Sequence, residues 1–142
     1  MNVVGSSQQT NIQEMIENKG CTANVLLLAN NTLCVANAGD SRCVFAVNGK
    51  AVVMSTDHKP TNLTEKNRIL RAGSTVNAEG RIDGNLNLSR AIGDLKYKKN
   101  RNLKAHEHAI TAFPEIKQKE LSKQIDFIVM GCDGIWESKT NQ

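Results

Sequence analysis

The chain has 142 residues, with 18 Lys and Arg against 14 Asp and Glu and a formal net charge of +4. That length suits one domain, and 39% hydrophobic with 23% charged residues describes a globular sequence rather than a disordered one. No apolar run approaches the roughly 20 residues of a membrane span, and Met1-Asn2-Val3-Val4 has neither a basic lead into an apolar stretch nor an N-terminal glycine, so no membrane, secretory or myristoyl signal is expected.

In chain order, residues 1–10 are small and polar and are expected to be frayed, with the ordered domain over 11–142. Ile12, Met15 and Ile16 stand at helical spacing and Gly20 can stop that helix. Val25–Ala29 and Leu33–Ala36 read as strands joined by Asn30-Asn31. Cys43–Val47 and Ala51–Met54 read as strands joined by Asn48-Gly49, a strong hairpin signal. These runs are nearly continuous rather than alternating, which predicts a sheet covered on both faces. A helix is predicted over Leu63–Ala72, with Asn62 as cap, Glu65 completing a capping box and Gly73 as stop. Val76 and Ile82 lie in weaker strands, Leu86–Ile92 is mixed, and Ile110–Phe113 and Phe127–Met130 are the last predicted strands.

Cys21, Cys34, Cys43 and Cys132 include no Cys-x-x-Cys pair, which argues against zinc and against a disulfide framework. They read as reduced core residues of an intracellular protein, cytoplasmic or nuclear. Lys96, Lys98, Lys99, Arg101 and Lys104 form a basic stretch with Tyr97 as its single aromatic. Base stacking has little to work with there, so a solvated loop is favoured over a nucleic-acid site, with an edge for phosphoproteins as a third reading.

Two aspartates share a setting. Asp40 follows Leu33-Cys34-Val35-Ala36-Asn37-Ala38-Gly39, and Asp133 follows Phe127-Ile128-Val129-Met130-Gly131-Cys132. Carboxylates held at strand ends suit a hard divalent cation; each is equally a residue type that forms turns after strands.

Around them stand, in order, Gly20-Cys21-Thr22-Ala23, Ala38-Gly39-Asp40-Ser41-Arg42, Asp57-His58-Lys59-Pro60, Ala72-Gly73, Arg81-Ile82-Asp83-Gly84, Leu88-Ser89-Arg90-Ala91-Ile92-Gly93-Asp94, Pro114-Glu115 and Gly131-Cys132-Asp133-Gly134-Ile135-Trp136-Glu137. From Gly20 to Glu137 this order resembles the metal-dependent serine/threonine protein phosphatases of the 2C type. The resemblance implies an α+β fold, a four-layer αββα sandwich of antiparallel sheets flanked by helices. It implies two Mg²⁺ or Mn²⁺ ions with a third possible, and phosphoserine or phosphothreonine proteins as substrates. A metal-activated water would attack phosphorus, so no Ser or Cys nucleophile is expected. By position, Asp133 matches a metal ligand and Asp40 the aspartate of the third metal site. Gly39, Ser41 and Arg42 would shape the Asp40 turn, and Gly134 stands beside Asp133. Arg90 and Asp94 are expected to pair structurally. His58 is expected to be a hydrogen-bonded turn residue, and His106 and His108 are not expected to bind metal.

The family's Asp-Gly-His-Gly-Gly word, with its general-acid histidine, has no match here; nor have its phosphate-binding arginine and its Asp-Asn word. The chain therefore reads as a partial domain with no catalytic acid of its own. It is expected to show little activity alone and to leave apolar sheet surface bare. The alternatives are a non-catalytic phosphatase-like binding module and, below it, a basic nucleic-acid-binding module.

Overall fold

The computed structural model describes residue 12, residues 15–122 and residues 124–142. The frayed start expected over residues 1–10 lies outside the described residues. Residues 12 and 15–17 are helical, as the Ile12 spacing predicts.

Among the described residues eight strands follow: β1 (Gly20–Cys21), β2 (Ala23–Ala29), β3 (Thr32–Ala38), β4 (Arg42–Val47), β5 (Lys50–Val53), β6 (Ile92–Gly93), β7 (Glu115–Glu120) and β8 (Ile125–Gly131). The helices are α1 (Leu63–Arg71), a 3-10 turn at Leu95–Lys98, and a single turn α2 (Asp133–Trp136). Both predicted hairpins form. Asn30 and Asn31 have φ of 47° and 62°, and Asn48 and Gly49 have 49° and 72°. Two successive positive φ angles match the right-handed twist of the flanking strands.

The strands make two three-stranded antiparallel sheets, β2-β3-β7 and β5-β4-β8, plus a two-stranded ladder of β1 with β6. The sheets face each other. Leu33 and Val35 of one meet Cys43 and Phe45 of the other, with Met54 closing the cluster, and all five are nearly inaccessible. This is the α+β class with antiparallel sheets that the sequence implies. A second core lies outside the sandwich, where Ile69 of α1 packs on Ile82, Ala91 and Ile110. Thus α1 buries Ile69 against the 73–112 segment, while its Leu63 and Leu70 stay 74% and 50% exposed.

Four sequence expectations change. β7, Glu-Ile-Lys-Gln-Lys-Glu, was not predicted, because its charges hide its alternation; it pairs with β3 from Thr32↔Glu120 to Asn37↔Glu115. It is the outer strand of its sheet, where lysines protect an edge. Ile110–Phe113 forms no strand, only the isolated parallel bridge Arg90↔Thr111. Of the cysteines, all are free, but only Cys43 is buried; Cys34 is half-buried, and Cys21 and Cys132 are exposed. Cys34 lies on the outer face of β3, opposite in pleat to Leu33 and Val35, so it cannot reach the core. Finally, the outer sheet faces are not covered as the continuous runs predict, but among the described residues are bare, as expected of a partial domain: Val25, Leu27 and Phe127 are 57%, 59% and 62% exposed.

Val25 and Leu27 share that face with Ile116, through the register Val25↔Ala36↔Ile116. Contiguous exposed apolar surface drives association. The purified 142-residue chain is expected to self-associate on sedimentation, and Leu27→Lys to reduce the associated fraction. A monomer with a sharp cooperative melt would refute this.

Candidate metal centre

Register brings the site together. β4 and β8 run antiparallel with Arg42 opposite Gly131. Asp40, two residues before Arg42, and Asp133, two residues after Gly131, therefore arrive at the same end of the sheet. β5 runs antiparallel to β4 with Val53 opposite Val44. Its continuation is held to β4 by Met54 N–H donating to the Cys43 carbonyl at 2.8 Å and Cys43 N–H to Ser55 Oγ at 2.9 Å. Asp57 and Lys59 thus reach that end too. Asp40, Arg42, Asp57, Lys59, Asp133, Trp136 and Glu137 line one pocket of about 250 Å³.

Four carboxylates and two cations share this pocket. Arg42 donates to Asp57 through Nε at 3.0 Å and Nη2 at 2.8 Å, a two-pronged pair, and to Asn141 Oδ1 at 2.6 Å. Its guanidinium lies 5.3 Å from the centre of the Trp136 ring, whose Nε1 donates to the Gly131 carbonyl at 2.7 Å. The Asp57 bond holds the Arg42 pKa above its ordinary value, against the lowering effect of burial. Lys59 Nζ pairs with Asp40 Oδ2. The Asp40 side chain is 4% exposed and that of Lys59 36%. Among the described residues no ion pair falls on Asp133 or Glu137.

Three hydrogen bonds, to Thr22 and His58, pin the Asp40 turn. Ser41 Oγ and Thr22 Oγ1 share a hydrogen bond of 2.7 Å. Gly39 N–H donates to His58 Nδ1 at 3.2 Å, and His58 N–H donates to the Gly39 carbonyl at 3.0 Å. His58 is buried and acts as the turn residue expected of it; burial and the nearby Arg90 lower its pKa. Gly39 has φ of +117°, and a Cβ there would come within 2.3 Å of Thr22 Cγ2. Gly134 is less constrained: a Cβ would meet nothing closer than Cys132 Sγ at 3.8 Å, so sterics do not require glycine.

Arg90 does not pair with Asp94. It reaches Glu65, with Nη2 2.6 Å from Oε1 and Nε about equally far from both oxygens at 3.2 and 3.1 Å. Arg68 Nη1 and Ser89 Oγ donate to the same carboxylate at 2.7 and 2.6 Å. Glu65 is 2% exposed. The expected capping box is absent: Asn62 makes no side-chain cap bond and instead donates to the Asp57 carbonyl at 2.8 Å. A buried carboxylate facing two guanidiniums is held there more strongly than at an exposed cap. Asp94 sits elsewhere, in left-handed backbone at φ 49°, where its N–H donates to the Lys19 carbonyl at 2.7 Å. Its carboxylate lies against Gly20, where a Cβ would come within 2.1 Å of Oδ2, and burial raises its pKa.

Of the residues singled out from sequence, Asp40, Arg42 and Asp133 meet in the pocket, with Gly39 and Ser41 behind them. Arg90 lies on Glu65 of α1, and Asp94 lies against Gly20 beside the β1–β6 ladder. Asp57 and Glu137 were overlooked as pocket carboxylates, although both stand inside the sequence words that carry the resemblance. The donors are all oxygens, which fits Mg²⁺ or Mn²⁺ in kind. In number they fall short: among the described residues no three His, Cys, Asp or Glu side chains gather closely enough to hold an ion.

The two facing sheets and the carboxylates at their ends define an α+β protein with an acidic pocket. The sequence model described as Protein phosphatase 2C matches residues 2–142. The chain belongs to that family. A curated relative from Paramecium tetraurelia, Probable protein phosphatase 2C 3, is 56% identical over 123 residues, covering 87% of this chain and 41% of its own length. Protein phosphatase 2C homolog 2 of Hypocrea jecorina (strain QM6a) is 51% identical over 126 residues, 89% of this chain and 28% of that protein. A crystal structure of a phosphatase from a pathogenic strain of Toxoplasma gondii superposes with a TM-score of 0.69 at 38% identity, over 75% of this chain and 33% of that one. The chain thus spans about two-fifths of the length of the first relative.

Proposed function

We propose that this chain supplies the Asp40 and Asp133 side of a Mg²⁺- or Mn²⁺-dependent site that hydrolyses phosphoserine and phosphothreonine in proteins. The observation that carries this is the convergence of Asp40, Asp57, Asp133 and Glu137 on one end of a sheet, in one pocket. Asp133 and Glu137 would hold the cation directly; Asp57 and Arg42 would fix the shape of the site around it. When bound, such ions lower the pKa of a water and neutralise phosphoryl charge. The chain's own residues orient the carboxylates: Ser41 and His58 fix the Asp40 turn, and Trp136 sets the angle at which α2 leaves β8. These 142 residues alone are proposed to turn over little substrate, since Asp133 is the single residue here matched to the two-metal centre. The proposed setting is intracellular, in keeping with four free cysteines.

A chimera tests the reading. Gly20–Glu137 replaces the matching segment of the Paramecium tetraurelia relative, which supplies the remaining three-fifths or so. Mn²⁺-dependent hydrolysis of a phosphothreonine peptide and of an aryl phosphate is expected from the chimera and not from the isolated chain. Asp133→Ala in the chimera is expected to lower turnover at least about tenfold, through loss of one charged cation ligand. A folded chimera without turnover would defeat the proposal.

A further inference from the structure

The outer edges of the two three-stranded sheets are protected unequally. β7 carries Glu115, Lys117, Lys119 and Glu120 along its length. β5 is short, and the Gln142 side chain takes its outward groups: Ala51 N–H donates to Gln142 Oε1 at 3.0 Å, and Gln142 Nε2 donates to the Gly49 carbonyl at 3.1 Å. β8 carries Asp126 and a register shift against β4 at Ala46/Val47. Charge, short length and irregular pairing are the devices that keep an edge from adding a further strand. β2 has none of them. Its sequence, Ala-Asn-Val-Leu-Leu-Leu-Ala, contains no charge and no proline and pairs with β3 in unbroken register. Its one polar side chain, Asn24, is already engaged, with Nδ2 donating to Asn37 Oδ1 at 2.8 Å.

We infer that β2 is the edge at which a second copy of this chain adds, strand against strand, about a two-fold axis at Leu26. The Asn30-Asn31 turn sets which groups are available. In a two-residue hairpin the flanking pair exchanges both backbone bonds, and bonded pairs then alternate along the ladder. Ala29↔Thr32, Leu27↔Cys34, Val25↔Ala36 and Ala23↔Ala38 are therefore the pairs that bond β2 to β3. Asn24, Leu26 and Leu28 turn their backbone N–H and C=O groups away from β3, and no other strand lies there among the described residues. This row is centred on Leu26. Antiparallel docking sets Leu26 against Leu26 of the second copy and Asn24 against Leu28 of the second copy, so every outward residue is bonded. A slip of two residues leaves one outward residue of each chain unpaired. A slip of one sets the inner face of one copy beside the outer face of the other. On the outer face Val25 meets Leu27 of the second copy, an apolar cross-strand pair made twice. The edge itself names the occupant: it offers no charge to select an oppositely charged partner, and its row of groups is complementary to itself. Such a two-fold contact uses the same surface on both chains and closes at a dimer. It stands apart from the acidic pocket and does not depend on a cation entering it.

Amide hydrogen exchange of the full 142-residue chain, resolved by residue with NMR at concentrations on either side of the association midpoint seen by sedimentation, tests this. The N–H groups of Asn24, Leu26 and Leu28 are expected to exchange at least about tenfold more slowly in the associated sample, because protection follows the bonded fraction. Those of Val25 and Leu27, bonded to β3 within one chain, are expected to be protected in both samples. Leu28→Pro removes an outward donor that β3 does not use, a change that edge strands tolerate, and is expected to sediment as a monomer. Should it lose the far-ultraviolet dichroism of the parent, Leu28→Lys puts a charge on the edge and carries the same expectation. Phe127→Lys, on the other sheet, is expected to dimerise as the parent does. Association with unprotected N–H groups at Asn24, Leu26 and Leu28 would assign the contact to the sheet faces and overturn the inference. A monomer at every concentration, a folded Leu28 variant that still dimerises, or a Phe127→Lys variant that does not would each overturn it as well.

Discussion

Glu65→Ala is expected to destabilise the chain by about 3–5 kcal/mol, the range for removing one partner of a buried ion pair. The carboxylate is 2% exposed and receives Arg90, Arg68 and Ser89 together. Without it, two largely enclosed guanidiniums, 13% and 16% exposed, remain close to each other with no carboxylate between them. Arg68 also donates to the His108 and Ser89 carbonyls at 3.0 and 2.7 Å, and Arg90 to the Phe113 carbonyl at 3.0 Å. Loss of Glu65 would therefore loosen the 89–113 segment that closes the second core. A net stability of about 5–15 kcal/mol leaves little room for such a loss.

The same group predicts a pH dependence. Burial alone would raise the Glu65 pKa, but the bonds from Arg90, Ser89 and Arg68 outweigh it and bring it from 4.5 down to about 2. Folded Glu65 thus binds its proton less readily than unfolded Glu65. The stability it contributes is fully present above pH 4.5 and is lost as pH falls from there through about 2. Urea midpoints of the parent and of Glu65→Gln are expected to differ strongly at pH 7 and to converge between pH 4.5 and 2. A gap of constant size across that range would show that Glu65 is not held ionised by its arginines.

Glu65 also marks where sequence reading stops. Its position three residues after Asn62 fits a capping box, and nothing local reveals that Arg90, 25 positions on, claims it. Local signals served well where local chemistry decides. Asn30-Asn31 and Asn48-Gly49 turn the chain as expected because positive φ is a property of those residues themselves. Asp40 and Asp133 were visible as carboxylates ending apolar strands, and antiparallel pairing then placed them together. β7 was not visible, because half of a charged edge strand looks like a loop until its partner is known. The outer faces mislead for a related reason. Val25 and Leu27 are as apolar as Leu26, and a continuous apolar run says that both faces avoid water without saying what covers them. Asp57 was passed over because its partner, Arg42, becomes its neighbour only across the β4–β5 hairpin.

Gly39→Ala is the second large effect, and it connects stability to the site. Two costs act at once. The backbone stands at φ +117°, where an L side chain is strained, at about 1–3 kcal/mol. The new Cβ would also lie 2.3 Å from Thr22 Cγ2 and 3.1 Å from the Arg90 carbonyl oxygen, an overpacking cost of about 1–3 kcal/mol more. Gly49→Ala separates them. Gly49 also has positive φ, at +72°, but no atom lies within 4 Å of its Cβ position, so that variant reports backbone strain alone. Thr22→Ser adds the other control. It removes Cγ2, keeps the hydroxyl bonded to Ser41, and is expected to recover part of the Gly39→Ala loss and none of the Gly49→Ala loss. Relief of the clash at Gly39 must move either Thr22 or Asp40. Because Thr22 is tied to Ser41 at 2.7 Å, the displacement passes into the Asp40 turn either way. Mn²⁺ binding by Gly39→Ala is therefore expected to weaken along with the melting temperature, whereas Gly49→Ala should lower the melting temperature alone. Equal Mn²⁺ affinity in the two variants would mean that the turn at Gly39 does not position Asp40.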